Sequence, residues 1–190
     1  MSDSNVFTYY PSIPEELRVN DEAFDELWNM CPTTDQTVVL FGKKIVIPRK
    51  QQSYGISYRF SGTLNEAIPI PPIIQKYIDY MNKTETETKY NMALVNWYKD
   101  GNDYIGYHSD DVRQLVPNSP IACFSFMKEG GKRDFLLKEK TTNNVTKISL
   151  ANNSLLIMGP TCQTTHKHSI PKCSACKEQR ISITLRQFSE

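Results

Sequence analysis

The chain has 190 residues, a formal net charge of +1 and 39% hydrophobic residues. That length is enough for one domain with a sizeable core, so residues 1–190 are read as a single unit. The near-zero charge excludes a strong global field toward nucleic acid or an anionic membrane. No apolar run approaches the roughly 18 residues of a membrane-spanning helix, and Met1–Tyr10 lacks the basic start and apolar stretch of a secretory leader. Five cysteines at irregular spacing (Cys31, Cys123, Cys162, Cys173 and Cys176) read as free thiols in a reducing compartment. A monomer inside the cell, nuclear or cytoplasmic and not on a membrane, is the expectation.

Pro14–Met30 reads as helix, with Asn20 or Asp21 as its cap and Phe24, Leu27 and Trp28 on one face. Thr37–Pro48 is β-rich, with Gly42 at a turn. Pro48–Gly62 has no helical period and reads as loop and short strands. Pro71 or Pro72 starts a second helix, in which Ile73, Ile74, Tyr77, Ile78 and Met81 recur at spacings of three and four. From Ala93 the character changes. Short apolar runs follow at Ala93–Tyr98, Ile121–Met127, Asp134–Leu137, Val145–Leu150, Ser154–Met158 and Ile181–Leu185, separated by Gly, Asn, Pro and Lys. Early helices followed by a mostly antiparallel β core give an α+β chain with a sandwich or barrel.

His108 and Asp110 stand at i and i+2. On a strand such residues point to one face, so an imidazole nitrogen and a carboxylate oxygen can meet at one ion. His168 lies far downstream, in His168-Ser169-Ile170-Pro171. Two histidines and one carboxylate, with positions left open, are the ligand set of a non-haem Fe(II) oxygenase. His-x-Asp alone is a weak signal, and a surface histidine is its plain alternative. Near the C-terminus, Arg180, Ser182, Thr184 and Arg186 share one strand face, while Ile181, Ile183 and Leu185 share the other. The planar guanidinium fork suits the far end of a diacid cosubstrate. An amphipathic strand with a solvated polar face is the plainer account.

These segments together resemble the AlkB family of Fe(II)- and 2-oxoglutarate-dependent nucleic-acid dealkylases. The resemblance runs from about Val39 to Phe188. It includes Asn96-x-Tyr98-x-Asp100-Gly101, His108-Ser109-Asp110-Asp111, Ser119-Pro120-Ile121-Ala122 with Ser125-Phe126, Arg133-Asp134-Phe135, Ser154-Leu155-Leu156, His168-Ser169-Ile170-Pro171 and Arg180–Arg186. Ile47-Pro48-Arg49-Lys50-Gln51, Tyr54-Gly55, and then Tyr58, Phe60, Ser61 and Gly62 belong to the same set. Within the family it is most similar to the branch that repairs double-stranded DNA. The resemblance implies a double-stranded β-helix, or jelly roll, over residues 93–188, with the N-terminal helices outside. It implies His108, Asp110 and His168 as iron ligands, and Asn96, Tyr98, Arg180, Arg186 and Ser182 around 2-oxoglutarate. Residues 35–62 would form a finger and lid, with Leu40, Phe41 and Gly42 as the finger that fills the gap of a flipped base. Arg49, Tyr58, Phe60 and Asp111 would line the base pocket, the base lying between Tyr58 and the His108 ring.

The implied reaction uses Fe(II), dioxygen and 2-oxoglutarate to remove alkyl groups from 1-methyladenine or 3-methylcytosine in DNA, releasing succinate, carbon dioxide and formaldehyde. Alkylated DNA, duplex or single-stranded, is the implied partner, and RNA with the same chemistry is the alternative. Lys43, Lys44, Lys50, Lys132 and Arg133 are candidate phosphate contacts, against the plainer reading of solvated charges. The chain departs from the family pattern at Ser182, where Asn is usual, and at Val112, where the duplex-acting branch has Glu. A rival reading takes His166, His168, Cys173 and Cys176 as a zinc knuckle in a nucleic-acid-binding module, since Cys-x2-Cys is a common zinc half-site.

Overall fold

A computed structural model describes residues 6–40, 42–60, 63–128 and 131–189. In chain order its strands are β1 (Phe7–Tyr10), β2 (Thr37–Leu40), β3 (Lys43–Val46), β4 (Lys50–Tyr54), β5 (Tyr58–Phe60), β6 (Thr63–Asn65), β7 (Ala67–Ile68), β8 (Met92–Tyr98), β9 (Ile105–His108), β10 (Ile121–Met127), β11 (Lys132–Glu139), β12 (Val145–Ala151), β13 (Ser154–Met158), β14 (His166–Ile170) and β15 (Arg180–Arg186). The helices are α1 (Asp21–Asn29), α2 (Pro72–Thr84) and the single turn α3 (Cys162–Thr165).

A large sheet runs β1-β13-β10-β15-β8-β4-β7, and a small one runs β12-β11-β14-β9. All pairings are antiparallel except β4 with β7. Two such sheets packed face to face form the expected jelly roll. Successive strand residues point to opposite faces, and three central strands use both. Ala93, Val95 and Trp97 of β8, Ala122, Phe124 and Phe126 of β10, and Ile181, Ile183 and Leu185 of β15 pack with Phe24 and Leu27 of α1 and Ile74, Tyr77, Ile78 and Met81 of α2. Each fully buried Val, Leu, Ile, Phe or Met side chain of this kind contributes about 1.5–3 kcal/mol. The Trp97 indole N–H donates to the Leu27 carbonyl at 2.9 Å, and the Tyr77 hydroxyl donates to the Leu17 carbonyl at 3.0 Å. The polar tips of these aromatics are thereby satisfied where they are buried.

The alternate residues turn inward. Met92, Leu94 and Tyr98 of β8, Ile121 of β10 and Met158 of β13 meet Phe135 and Leu137 of β11, Ile148 and Leu150 of β12, and Ile170 of β14. This second core holds the two sheets together and frames a cavity between them.

The first helix is shorter than the sequence implies. A 3-10 turn covers Glu15–Leu17, and α1 begins only at Asp21. Asn20 is extended, and its side chain accepts the Ala23 N–H at 2.9 Å. Asparagine is worth more as a cap than inside a helix, and that preference divides the segment. The second helix starts at Pro72, as read. The strands of the apolar runs are present, and β1, β9 and β14 add to them. The β2–β3 hairpin pairs Leu40 with Lys43 and turns through Gly42 at φ +75°, a conformation that favours glycine. Phe41 of the expected finger, Ser61 and Gly62 lie outside the described residues, as do the side chains of Leu40, Lys44 and Phe60.

Candidate metal centre and its cavity

His168 lies directly opposite His108 in the β14–β9 pairing, and the register shifts immediately after it. Directly opposed residues bring their Cβ atoms close, and here the two ring centroids are 4.2 Å apart. Asp110 stands two residues past the end of β9, so it is a loop residue rather than the strand residue that its spacing suggests. Its Oδ1 is 3.6 Å from His108 Nε2 and 3.7 Å from His168 Nε2. One ligand atom from each of the three residues lies within 4.8 Å of the others, and among the described residues this is the group that fits a metal ion.

The polarity of the site suits a cation. His108 Nδ1 is 2.9 Å from the Gly106 carbonyl, so that nitrogen carries the proton and Nε2 keeps its lone pair for the shared point. Burial, and then the neighbouring His108, push the His168 imidazole down to about 3, which keeps it neutral and able to ligate. Its ring stacks on Phe135, with centroids 5.5 Å apart and planes 11° apart. For Asp110 burial acts to raise the carboxyl, but the Arg186 guanidinium outweighs it, and the group is held well below the usual carboxylate range. Arg186 donates from Nε (3.0 Å) and Nη2 (2.6 Å) to Asp110 Oδ2, which leaves Oδ1 facing the histidines.

The same cavity collects most of the other expected residues. Asn96, Tyr98, Arg180, Ser182, Arg186, Arg49 and Tyr58 all line it together with the three ligands. The polar face of β15 is therefore not a solvated face. Arg180, Ser182, Thr184 and Arg186 are each at most 7% exposed, and both faces of the strand are buried. Arg180 lies over the Tyr98 ring at 4.9 Å and donates from Nη2 to Ser125 Oγ at 2.9 Å. Its Nε and Nη1, and Nη1 of Arg186, are buried with no partner among the described atoms. Buried guanidinium N–H groups cost free energy unless something accepts from them. A carboxylate bound in the cavity would be such an acceptor, so the donor set fits 2-oxoglutarate as the triad fits iron.

Behind Asn96, Arg49 Nε donates to Asn96 Oδ1 at 2.9 Å and Nη2 donates to Gln51 Oε1 at 3.1 Å. Gln51 Nε2 donates in turn to Asn65 Oδ1 at 2.9 Å. Tyr58 packs between the Arg186 guanidinium, 4.9 Å from its ring centroid, and the Phe188 ring at 5.9 Å. Burial, reinforced by Asp110, pushes its phenol well above the usual range.

Some expected residues are not brought there. Asp111 does not line the cavity; its carboxylate takes Arg113 Nε at 2.9 and 3.0 Å, and Nη2 as well. Arg133 is 2% exposed and donates to the carbonyls of Asp100 (3.2 Å), Gly101 (3.4 Å), Pro171 (3.0 Å) and Asp103. Held inside by four carbonyls, it is an internal clamp and not a phosphate contact. Lys43 and Lys132 are exposed, while Lys50 pairs with Asp35 at 2.6 Å.

The zinc-knuckle reading fails. Cys173 and Cys176 are joined in a disulfide, so neither offers a thiolate, and His168 belongs to the triad. The expectation of five free thiols fails with it, since Cys31, Cys123 and Cys162 are the free ones. The bonded loop packs on the turn at Gly101: Gly101 N–H donates to the Cys176 carbonyl at 2.9 Å and Cys173 N–H donates to the Gly101 carbonyl at 2.8 Å.

Sequence alone did not single out Cys123 and Thr184 as cavity-lining groups, Ser125 as the acceptor for Arg180, or Gln163, whose Oε1 accepts the Asp110 N–H at 2.8 Å. Ser125 and Thr184 sit at inward positions of β10 and β15, so alternation was the signal for them. For Gln163 there was none.

The model for the 2OG-Fe(II) oxygenase superfamily matches residues 15–186. The mouse protein called DNA oxidative demethylase ALKBH2 is 38% identical over 162 residues, covering 80% of this chain and 66% of that protein. The human protein of the same name is 37% identical over 162 residues, covering 80% of this chain and 60% of its own length. This chain thus spans less than two thirds of the length of these two relatives. The solved structure of OsALKBH1 superposes with a TM-score of 0.60 at 15% identity, covering 95% of this chain and 97% of that one, a likeness of fold.

Proposed function

The chain belongs to the 2OG-Fe(II) oxygenase superfamily, and on that premise we propose that it removes N-alkyl groups oxidatively from bases in DNA, with 1-methyladenine and 3-methylcytosine as its kind of substrate. The observation that carries this reading is the triad of His108, Asp110 and His168 in one cavity with two arginines, some of whose buried N–H groups have no acceptor among the described residues. The similarity to proteins called DNA oxidative demethylase supports the substrate class.

When bound, Fe(II) and 2-oxoglutarate supply the oxidising chemistry, in which dioxygen and 2-oxoglutarate become succinate and carbon dioxide and an N-alkyl carbon is hydroxylated, a methyl leaving as formaldehyde. The residues of this chain bind, orient and shield. His108 Nε2, His168 Nε2 and Asp110 Oδ1 would hold the iron on one side, leaving its other positions open. Arg180, steadied by Ser125 and Tyr98, would take the distal carboxylate of 2-oxoglutarate in a charge-assisted pair. Arg186 balances Asp110 and keeps one N–H for the cosubstrate. Asn96, held by Arg49, and Ser182 complete that wall. No side chain has to act as a nucleophile. The apolar lining from Leu94, Phe135, Met158 and Ile170 limits water around the reacting centre.

Tyr58 and His108 line the cavity that would receive the flipped base, and the β2–β3 hairpin is the element that would enter the duplex. The test is a panel of methylated oligonucleotides, DNA and RNA, single- and double-stranded, incubated with anaerobically prepared protein, Fe(II) and 2-oxoglutarate before air is admitted. Conversion of methylated DNA is expected. Conversion confined to RNA would transfer the reading to an RNA demethylase of the same chemistry.

A further inference from the structure

A metal ligand that lies outside regular structure needs something else to fix it. Asp110 is in that position, because β9 ends at His108 and the Asp110 backbone has no strand ladder to join. Arg186 holds the carboxylate, and two further bonds tie the loop itself to the fold. Ser109 Oγ donates to the His166 carbonyl at 2.8 Å, and Asp110 N–H donates to Gln163 Oε1 at 2.8 Å. Both partners belong to the segment Cys162–His168, which turns through α3 into β14 and carries the third ligand.

Gln163 is built to hold that bond. It is 7% exposed. A backbone N–H only donates, so the contact with Asp110 sets the amide orientation and points Oε1 at the loop. Nε2 then faces Met158 Sδ at 3.4 Å, a residue that lines the cavity. The Gln163 carbonyl accepts from Lys140 Nζ at 2.8 Å, which anchors the turn to the end of the β11–β12 hairpin.

We infer that Gln163 is a positioning residue for the metal centre: by fixing the Asp110 backbone it sets where the carboxylate ligand stands relative to His108 and His168. Metal ligands depend on such outer partners, whose loss commonly weakens metal affinity about ten- to hundredfold. The inference rests on the reading of His108, Asp110 and His168 as iron ligands, and the test separates the two.

The experiment measures Mn(II) binding to the metal-free 190-residue chain by the loss of the free-ion paramagnetic resonance signal. Gln163→Met keeps the side-chain volume and removes the acceptor oxygen; it is expected to weaken Mn(II) binding about ten- to hundredfold. Gln163→Glu keeps an acceptor oxygen and is expected to restore binding to near the wild-type level. Amide hydrogen exchange adds a second readout, with the Asp110 N–H exchanging faster in Gln163→Met. Wild-type affinity in Gln163→Met, or equal losses in Met and Glu variants, overturns the inference while His168→Ala still loses the metal. If His168→Ala also binds Mn(II) as wild type does, the ligand assignment itself falls, and the inference with it.

Discussion

At the level of single residues the site is governed by one buried ion pair. The Asp110 carboxylate would pay a large desolvation cost alone, and Arg186 offsets it through two bonds to one oxygen. Removing one partner of such a pair leaves a stranded charge. Arg186→Met is therefore expected to cost about 3–5 kcal/mol of metal-free stability, read by denaturant unfolding. A cost near zero would mean that the pair is not formed. Arg180 differs, because its Nε and Nη1 are buried with no acceptor among the described residues. Arg180→Met is expected to weaken 2-oxoglutarate binding by about 2 kcal/mol or more, by the usual cost of truncating a buried charge pair, while Mn(II) binding stays close to wild type. Calorimetric titration of each ligand decides this, and parallel loss of both would place Arg180 in the metal centre instead.

At the level of elements, alternation along strands does most of the organising. In β15 it was legible that Arg180, Ser182, Thr184 and Arg186 share a face, but not that this face is buried. That depends on the small sheet lying across it, which no local pattern records. β14 escaped notice because His166-Lys167-His168 is a polar run, stabilised as a strand by β11 and β9 on either side. The His-x-Asp spacing led to the right pair through a wrong premise, since Asp110 sits in a loop. Arg133 shows the limit of reading charge: a surface cation and a clamp on four carbonyls look alike in sequence. The bonded Cys173–Cys176 loop yields two predictions. Replacing both cysteines by serine is expected to leave metal stoichiometry unchanged, and loss of the metal would revive the zinc knuckle. A Cβ on Gly101 would stand 1.7 Å from the Cys173 carbonyl oxygen. Gly101→Ala must push that loop away and is expected to cost roughly 1–3 kcal/mol in thermal or denaturant unfolding. An unchanged stability would show that the loop is not docked there.

At the level of the whole molecule, a net charge of +1 makes non-specific nucleic-acid affinity modest. On the proposed reading, recognition would then fall to the β2–β3 hairpin, the segment 48–62 and the cavity. If the β2–β3 hairpin enters the duplex, Phe41→Ala is expected to lower turnover on duplex DNA more than on single strands, and equal loss on both would remove the finger from the account. All these roles converge on one reaction, so its balance is the direct test. The chain, loaded with Fe(II) and 2-oxoglutarate under argon, is mixed with oxygenated buffer and a duplex carrying one 1-methyladenine. Succinate, formaldehyde and repaired adenine are then quantified together. The three are expected to form in equal amounts, and none is expected with His168→Ala. Succinate without repaired base, or repair that persists in His168→Ala, would contradict the proposed reaction.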